Sequence, residues 1–76
     1  MGAHIAVGAI GEVVVAIRGT AGPGEILVPL NGSREAFIAE CAEPVGRGAA
    51  VMVIDIAPHR HVTVVPWEGF SPGLPP

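Results

Sequence analysis

Apolar residues in this chain fall in short alternating runs, each closed by Gly, Pro or an Asn-Gly pair. The pattern predicts strands rather than helices. A first strand is expected over residues 12–17, approached through Gly8 and Gly11. Gly near or inside a strand marks a bulge, or a bend where another backbone comes close. Residues 20–24 read as a loop, and a second strand follows over 25–30 with Ile26, Val28 and Leu30 in alternation. Pro29 has no N–H to give a ladder, which places it at a sheet edge or at the strand's end. Asn31-Gly32 signals a tight hairpin, since both residues tolerate positive φ. The returning strand is expected over 33–41, with Arg34, Glu35 and Glu40 wet and residues 36–39 apolar on both faces. Its Ala and Glu content would also suit a short helix, but the tight turn before it favours a strand. A loop over 43–48 leads to the most apolar strand, 50–56, and a tight connection at 57–60 leads to the last, 61–66. There Val62 and Val64 alternate with Thr63 and Val65. Five strands at this spacing predict a small all-β barrel or sandwich over residues 4–67. The Pro- and Gly-rich stretch 68–76 is expected to be a flexible tail.

Composition sharpens that picture. Half of the 76 residues are hydrophobic but only 4% are aromatic, so β-branched aliphatics carry the core. The longest apolar run, 49–54, is closed by Asp55, far short of the roughly 18 residues that a spanning helix needs. The start lacks the basic-then-apolar order of a signal peptide. The chain therefore reads as a soluble domain, and its apolar excess implies an outer surface that something covers. A small barrel fills its interior with one residue in two along each strand. Val14, Leu27, Ile38 and Ile54 stand in the opposite phase to the expected core, which makes them a candidate interaction patch. The competing possibility is that bulges and Gly bends flip the phase and bury them too.

Charge and candidate chemistry mostly exclude. The net charge is −3, and four Arg with no Lys carry the side-chain positive charge, so nucleic acid is not an expected partner. A nucleic-acid-binding barrel also needs an aromatic stacking platform; there is no Tyr, Trp67 and Phe70 fall outside the strands, and only Phe37 remains. Lipoyl and biotinyl domains carry their cofactor on a hairpin Lys, which is missing. His59 and His61 are two apart, but His59 sits in a turn, and neither they nor His4 have the acids or thiolates that complete a metal site. Cys41, the single cysteine, reads as a small buried hydrophobe. Ser33, Ser71, Thr20 and Thr63 lie in no nucleophile motif, and residues 7–11 echo a phosphate loop without the helix or Lys it requires. Asn31-Gly32-Ser33 fits a glycosylation acceptor, yet the hairpin turn alone accounts for it. Glu12, Glu25, Glu35, Glu40 and Glu43 read as a solvated face. No catalytic residue, cofactor or metal is expected, and the chain reads as a non-enzymatic module.

One resemblance narrows the field. Gly8 to Gly11 stepping into Val13, Val15 and Ile17, then Pro23-Gly24 ahead of Ile26 and Val28, form the first half of a pattern. Gly32 at the hairpin, residues 36–39, Val45 and Gly48 leading into Val51 and Val53, and finally Val62, Val64 and Pro66 complete it. In this order the residues resemble the soluble C-terminal domain of the NfeD family of membrane proteins. The loop 19–23 and the apolar strand 34–41 depart from the family pattern. The resemblance implies an OB-like five-stranded barrel tethered to transmembrane helices outside this sequence and facing the cytoplasm. It also implies partnership with stomatin- and flotillin-like membrane scaffold proteins. Longer relatives carry a serine protease domain upstream, from which no catalytic residue maps onto this chain. The other readings are an oligonucleotide- or oligosaccharide-binding OB module and a regulatory domain of an upstream enzyme.

Overall fold

In the computed structural model, which describes residues 4–67, the alternating segments close on one another as a five-stranded barrel. Seven strands are present among the described residues: β1 Ile10–Val15, β2 Ile17–Arg18, β3 Gly24–Leu30, β4 Ser33–Glu40, β5 Pro44–Val45, β6 Ala50–Ala57 and β7 His61–Pro66. The barrel order is β1-β3-β4-β7-β6, while β2 and β5 form a separate two-stranded sheet. Every barrel pairing is antiparallel except β4 with β7, which run parallel. Of the barrel and sandwich that the strand spacing allows, the chain forms the barrel, in the OB-like five-stranded arrangement that the family resemblance implies. The expected tail, 68–76, lies outside the described residues.

Turn chemistry sets the register. Asn31 and Gly32 have φ of 51° and 84°, the pair of left-handed residues that a two-residue hairpin requires. That turn pairs Leu30 with Ser33 and carries the β3–β4 ladder without a slip to Gly24 and Ala39. Period-2 alternation then decides the faces. Val13, Ile26, Val28, Phe37, Ala39, Val51, Val53, Val62 and Val64 point inward and are buried. The small sheet β2–β5 supplies Ile17 and Val45, which join the same core together with Cys41. Among the described residues no polar or charged side chain is buried. The interior is therefore filled with aliphatic side chains, as expected for a barrel of so few strands.

A barrel this narrow must bend its strands sharply, and two bulges do so. One falls between Val13 and Val15 on β1, the other between Val53 and Asp55 on β6. Each inserts an unpaired residue and shifts the phase beyond it. The expected strand 12–17 is consequently broken at Ala16, and Val15, in phase with Val13 on simple alternation, is 52% exposed. Gly24 opens β3 where this strand passes β1 most closely. A Cβ there would collide with the Val15 carbonyl oxygen and lie 2.7 Å from the Ala16 carbonyl carbon. The expected loop 43–48 contains β5, whose two residues pair with β2; a two-residue strand is too short to leave a periodic signal. Within the expected loop 20–24, residues Gly19–Ala21 form a single 3-10 turn.

The parallel seam is short, with Ile38, Ala39 and Glu40 opposite His61, Val62 and Thr63. Arg60 extends it. Its carbonyl accepts the Ile38 N–H at 2.8 Å, its Nε donates to the Ala36 carbonyl at 3.2 Å, and its Nη2 lies 2.7 Å from Glu35 Oε1. The guanidinium also covers the Phe37 ring, with Cζ 4.9 Å from the centroid, a cation–π geometry. These contacts hold Arg60 and its neighbour His59 at φ of 59° and 64°, a conformation that L side chains adopt at a cost of about 1–2 kcal/mol each.

Two substitutions test this account by chemical denaturation. Gly24→Val is expected to destabilise the domain by about 3 kcal/mol through the forced separation of β1 and β3. Arg60→Ala is expected to cost about 1–2 kcal/mol, kept small because the side chain is half exposed. Arg60→Gly should recover about 1 kcal/mol of that loss by relieving the positive φ. Equal midpoints for wild type and Arg60→Ala would remove the latch from the account.

Candidate interaction surface

With the interior closed and apolar, chemistry can only be offered by the outer wall and the barrel ends. His59 and His61 lie at the β6–β7 turn, where the His61 Nδ1 donates to the His59 carbonyl at 3.0 Å. Among the described residues, no group of three or more His, Cys, Asp or Glu side chains is placed to hold a metal ion. Cys41 is buried just beyond β4. Phe37, the one aromatic expected to offer a stacking platform, is only 6% exposed and lies beneath Arg60.

The four outward-phase residues are distributed over two walls. Leu27 stands between Glu12 of β1 and Ala36 of β4, and Ile38 stands between Glu25 of β3 and His61 of β7. Both are half-buried, while their chain neighbours Ile26, Val28, Phe37 and Ala39 are buried. Val14 occupies the bulge at the end of β1 and is also half-buried. These three belong to the β1–β3–β4 wall. Ile54, 43% exposed, sits at the β6 bulge on the far side of the barrel. The fold thus groups Val14, Leu27 and Ile38 and sets Ile54 apart.

Two features of the surface escaped the sequence reading. On the first wall Val15 lies opposite Glu25 and adds exposed apolar surface across that residue from Ile38. On the second, Ile10 pairs with Met52 and Met52 with Val65, so one apolar row crosses three strands close to Ile54. Periodicity along one strand cannot reveal such a row, because it exists only once the registers are known. A groove of about 360 Å³ adjoins the first wall at the end of the parallel seam, lined by Thr20, Pro23, Glu40, Cys41 and Thr63 among others.

The walls also differ in charge. Glu12, Glu25 and Glu40 edge the apolar positions of the first wall, and Asp55 lies in the same row as Glu40, across Thr63. Two of the four Arg are already committed to acids: Arg34 lies 4.0 Å from Glu12, and Arg60 bonds Glu35. Glu25, Glu40 and Asp55 form no ion pair among the described residues.

If the outward residues are surface rather than core, Leu27→Ser and Ile54→Ser should each shift stability by no more than about 1 kcal/mol. Both variants should keep a single cooperative denaturation transition. Loss of cooperativity in either would assign that residue to the core.

Comparison with known proteins agrees with this architecture. The model of the NfeD C-terminal domain family matches residues 10–65. The solution structure of the soluble domain of the NfeD protein YuaF from Bacillus subtilis superposes with a TM-score of 0.70 at 26% identity, covering 83% of this chain and 75% of that one. The C-terminal domain of stomatin operon partner protein 1510-C from Pyrococcus horikoshii superposes with a TM-score of 0.62 at 23% identity, covering 90% of this chain and 97% of that one. No curated protein matches the chain.

Proposed function

The chain belongs to the NfeD C-terminal domain family, and from that premise we propose that it is the non-catalytic protein-interaction domain of a membrane-anchored protein. No helix among the described residues is long and apolar enough to cross a membrane, so the anchor is assigned to sequence outside this domain. The domain is read as facing the cytoplasm and engaging membrane scaffold proteins of the stomatin or flotillin type. The name of the Pyrococcus relative, a stomatin operon partner, supports that choice of partner.

The observation that carries the reading is the unpartnered apolar surface of a barrel whose interior is already full. Leu27, Ile38 and Val14 are partly exposed on one sheet wall, and Val15, 52% exposed, lies across Glu25 from Ile38. Ile54 adds an apolar position on the opposite wall. Exposed apolar area of this kind marks a surface that a partner covers. Stacking by nucleobases, which the OB-like architecture otherwise invites, is not offered by Phe37, the aromatic residue within the strands, because Arg60 already lies over its ring.

The test is an NMR titration of the isotope-labelled chain with a soluble fragment of a stomatin- or flotillin-like protein, with a short single-stranded oligonucleotide as control. Shifts that map to Val14, Leu27 and Ile38 with the protein fragment, and none with the oligonucleotide, are the expected result. Shifts at Arg18, Arg34 or Phe37 with the oligonucleotide alone would replace this reading with nucleic-acid binding.

A further inference from the structure

The β1–β3–β4 wall has a chemistry that specifies its partner more closely, and this step rests on the interaction reading above. Its apolar positions, Leu27, Ile38 and Val15, each stand directly opposite a carboxylate, Glu12 for Leu27 and Glu25 for Val15 and Ile38. Glu25 lies directly between Val15 and Ile38 across the strands. Glu40 follows Ile38 by two positions on the same face of β4, and Asp55 lies beyond Thr63 in the Glu40 row. Arg34 and Arg60 stand near this wall and are engaged, and the Arg18 guanidinium packs against Gly22 of the groove without an ion pair among the described residues. Arg34 faces Glu12, while Arg60 is held by Glu35 and by the Ala36 carbonyl. Two carboxylates on this wall, Glu25 and Glu40, therefore form no ion pair among the described residues, and Asp55 of β6 lies beyond β7 from Glu40.

The groove at the end of the seam, which shares Glu40 with this wall, supports the same conclusion. It holds about 360 Å³, and Glu40 is the one charged residue among those lining it. Thr20 and Thr63 add hydroxyl oxygens able to accept hydrogen bonds. A cavity with this lining, opening onto an apolar strip, suits a Lys or Arg side chain whose neighbours along the chain are apolar. An acidic or neutral-polar segment would meet uncompensated like charge or bury the carboxylates without replacing their water. On the opposite wall, the row Ile10, Met52 and Val65 contains no carboxylate.

We infer that the β1–β3–β4 wall docks a basic, apolar segment of a protein partner, with apolar side chains on Leu27 and Ile38 and a cationic side chain in the Glu40 groove. Acid-rimmed apolar surface selects against acidic segments as well as for basic ones. The cationic contact is partly solvated, so the association must weaken as salt shortens the screening length.

Three synthetic peptides of one length test it on the labelled 76-residue chain: one alternating Leu with Lys, one alternating Leu with Glu, one alternating Ser with Lys. The Leu-Lys peptide is expected to shift amides at Leu27, Ile38, Glu40 and Thr63, to bind at least tenfold more tightly than either of the others, and to lose about tenfold in affinity between 50 and 300 mM salt. Glu40→Gln with Glu25→Gln should weaken it at least fivefold without moving the denaturation midpoint. Equal binding of the Ser-Lys peptide would reduce the effect to net charge and overturn the inference, as would shifts spread over both walls. The same salt series with the scaffold fragment separates the two levels. Binding to the β1–β3–β4 wall without salt dependence keeps the interaction reading and removes this one. Binding of the Leu-Lys peptide with none of the scaffold fragment keeps this one and removes the scaffold as partner.

Discussion

Closure across the parallel β4–β7 seam is the constraint on which the rest of the molecule depends. Four of the five barrel pairings are antiparallel, and the one that closes the barrel, over three residue pairs, is parallel. Parallel pairing is the weaker kind per residue, and here it has no turn of its own to hold it. Arg60 compensates by binding β4 through backbone, carboxylate and ring at once. The left-handed backbone at His59 and Arg60 is the conformational cost of presenting that side chain toward β4. Were the seam open, Ala39 and Val62 would lose their burial and the core would be exposed along its length.

The same closure explains which parts of the fold were legible in the sequence. Where a strand is set by local chemistry, the reading is accurate: Asn31-Gly32 makes its hairpin, and β7 spans 61–66 with Val62 and Val64 inward. Where curvature overrides local chemistry, it fails. Val15 sits two residues from buried Val13 and should be buried by alternation, yet the bulge turns it outward. That bulge exists because β1 pairs with both β3 and β6 in a narrow barrel, a fact of topology that no window of residues contains. The β2–β5 pair was invisible for a different reason, since two residues show no period.

The candidate surface shows a parallel division. Outward phase is a local property, so Leu27 and Ile38 are recognisable from the chain alone. Adjacency is not local. Ile54 shares the phase of Leu27 but lies on another wall, and Ile10, Met52 and Val65 become one row only through two registers. Gly24 was legible as part of a loop, whereas its role, letting β3 pass against Val15 and Ala16, depends on the packing of two strands.

A barrel of five strands leaves function few places to go. Its interior holds aliphatic side chains to the exclusion of any buried polar group among the described residues, so neither a ligand cavity nor a catalytic pair can form inside it. The end nearest the β6–β7 turn is occupied by Arg60, which uses the one well-placed aromatic face for structure. What remains is the outside, and there the chain's scarcity of cations matters more than its apolarity. With no Lys, and with Arg34 and Arg60 engaged with other acids, Glu25 and Glu40 on either side of Ile38 form no ion pair among the described residues. Such a surface carries its own selectivity: apolar area draws a partner in, and the unpaired carboxylates decide which partners can stay.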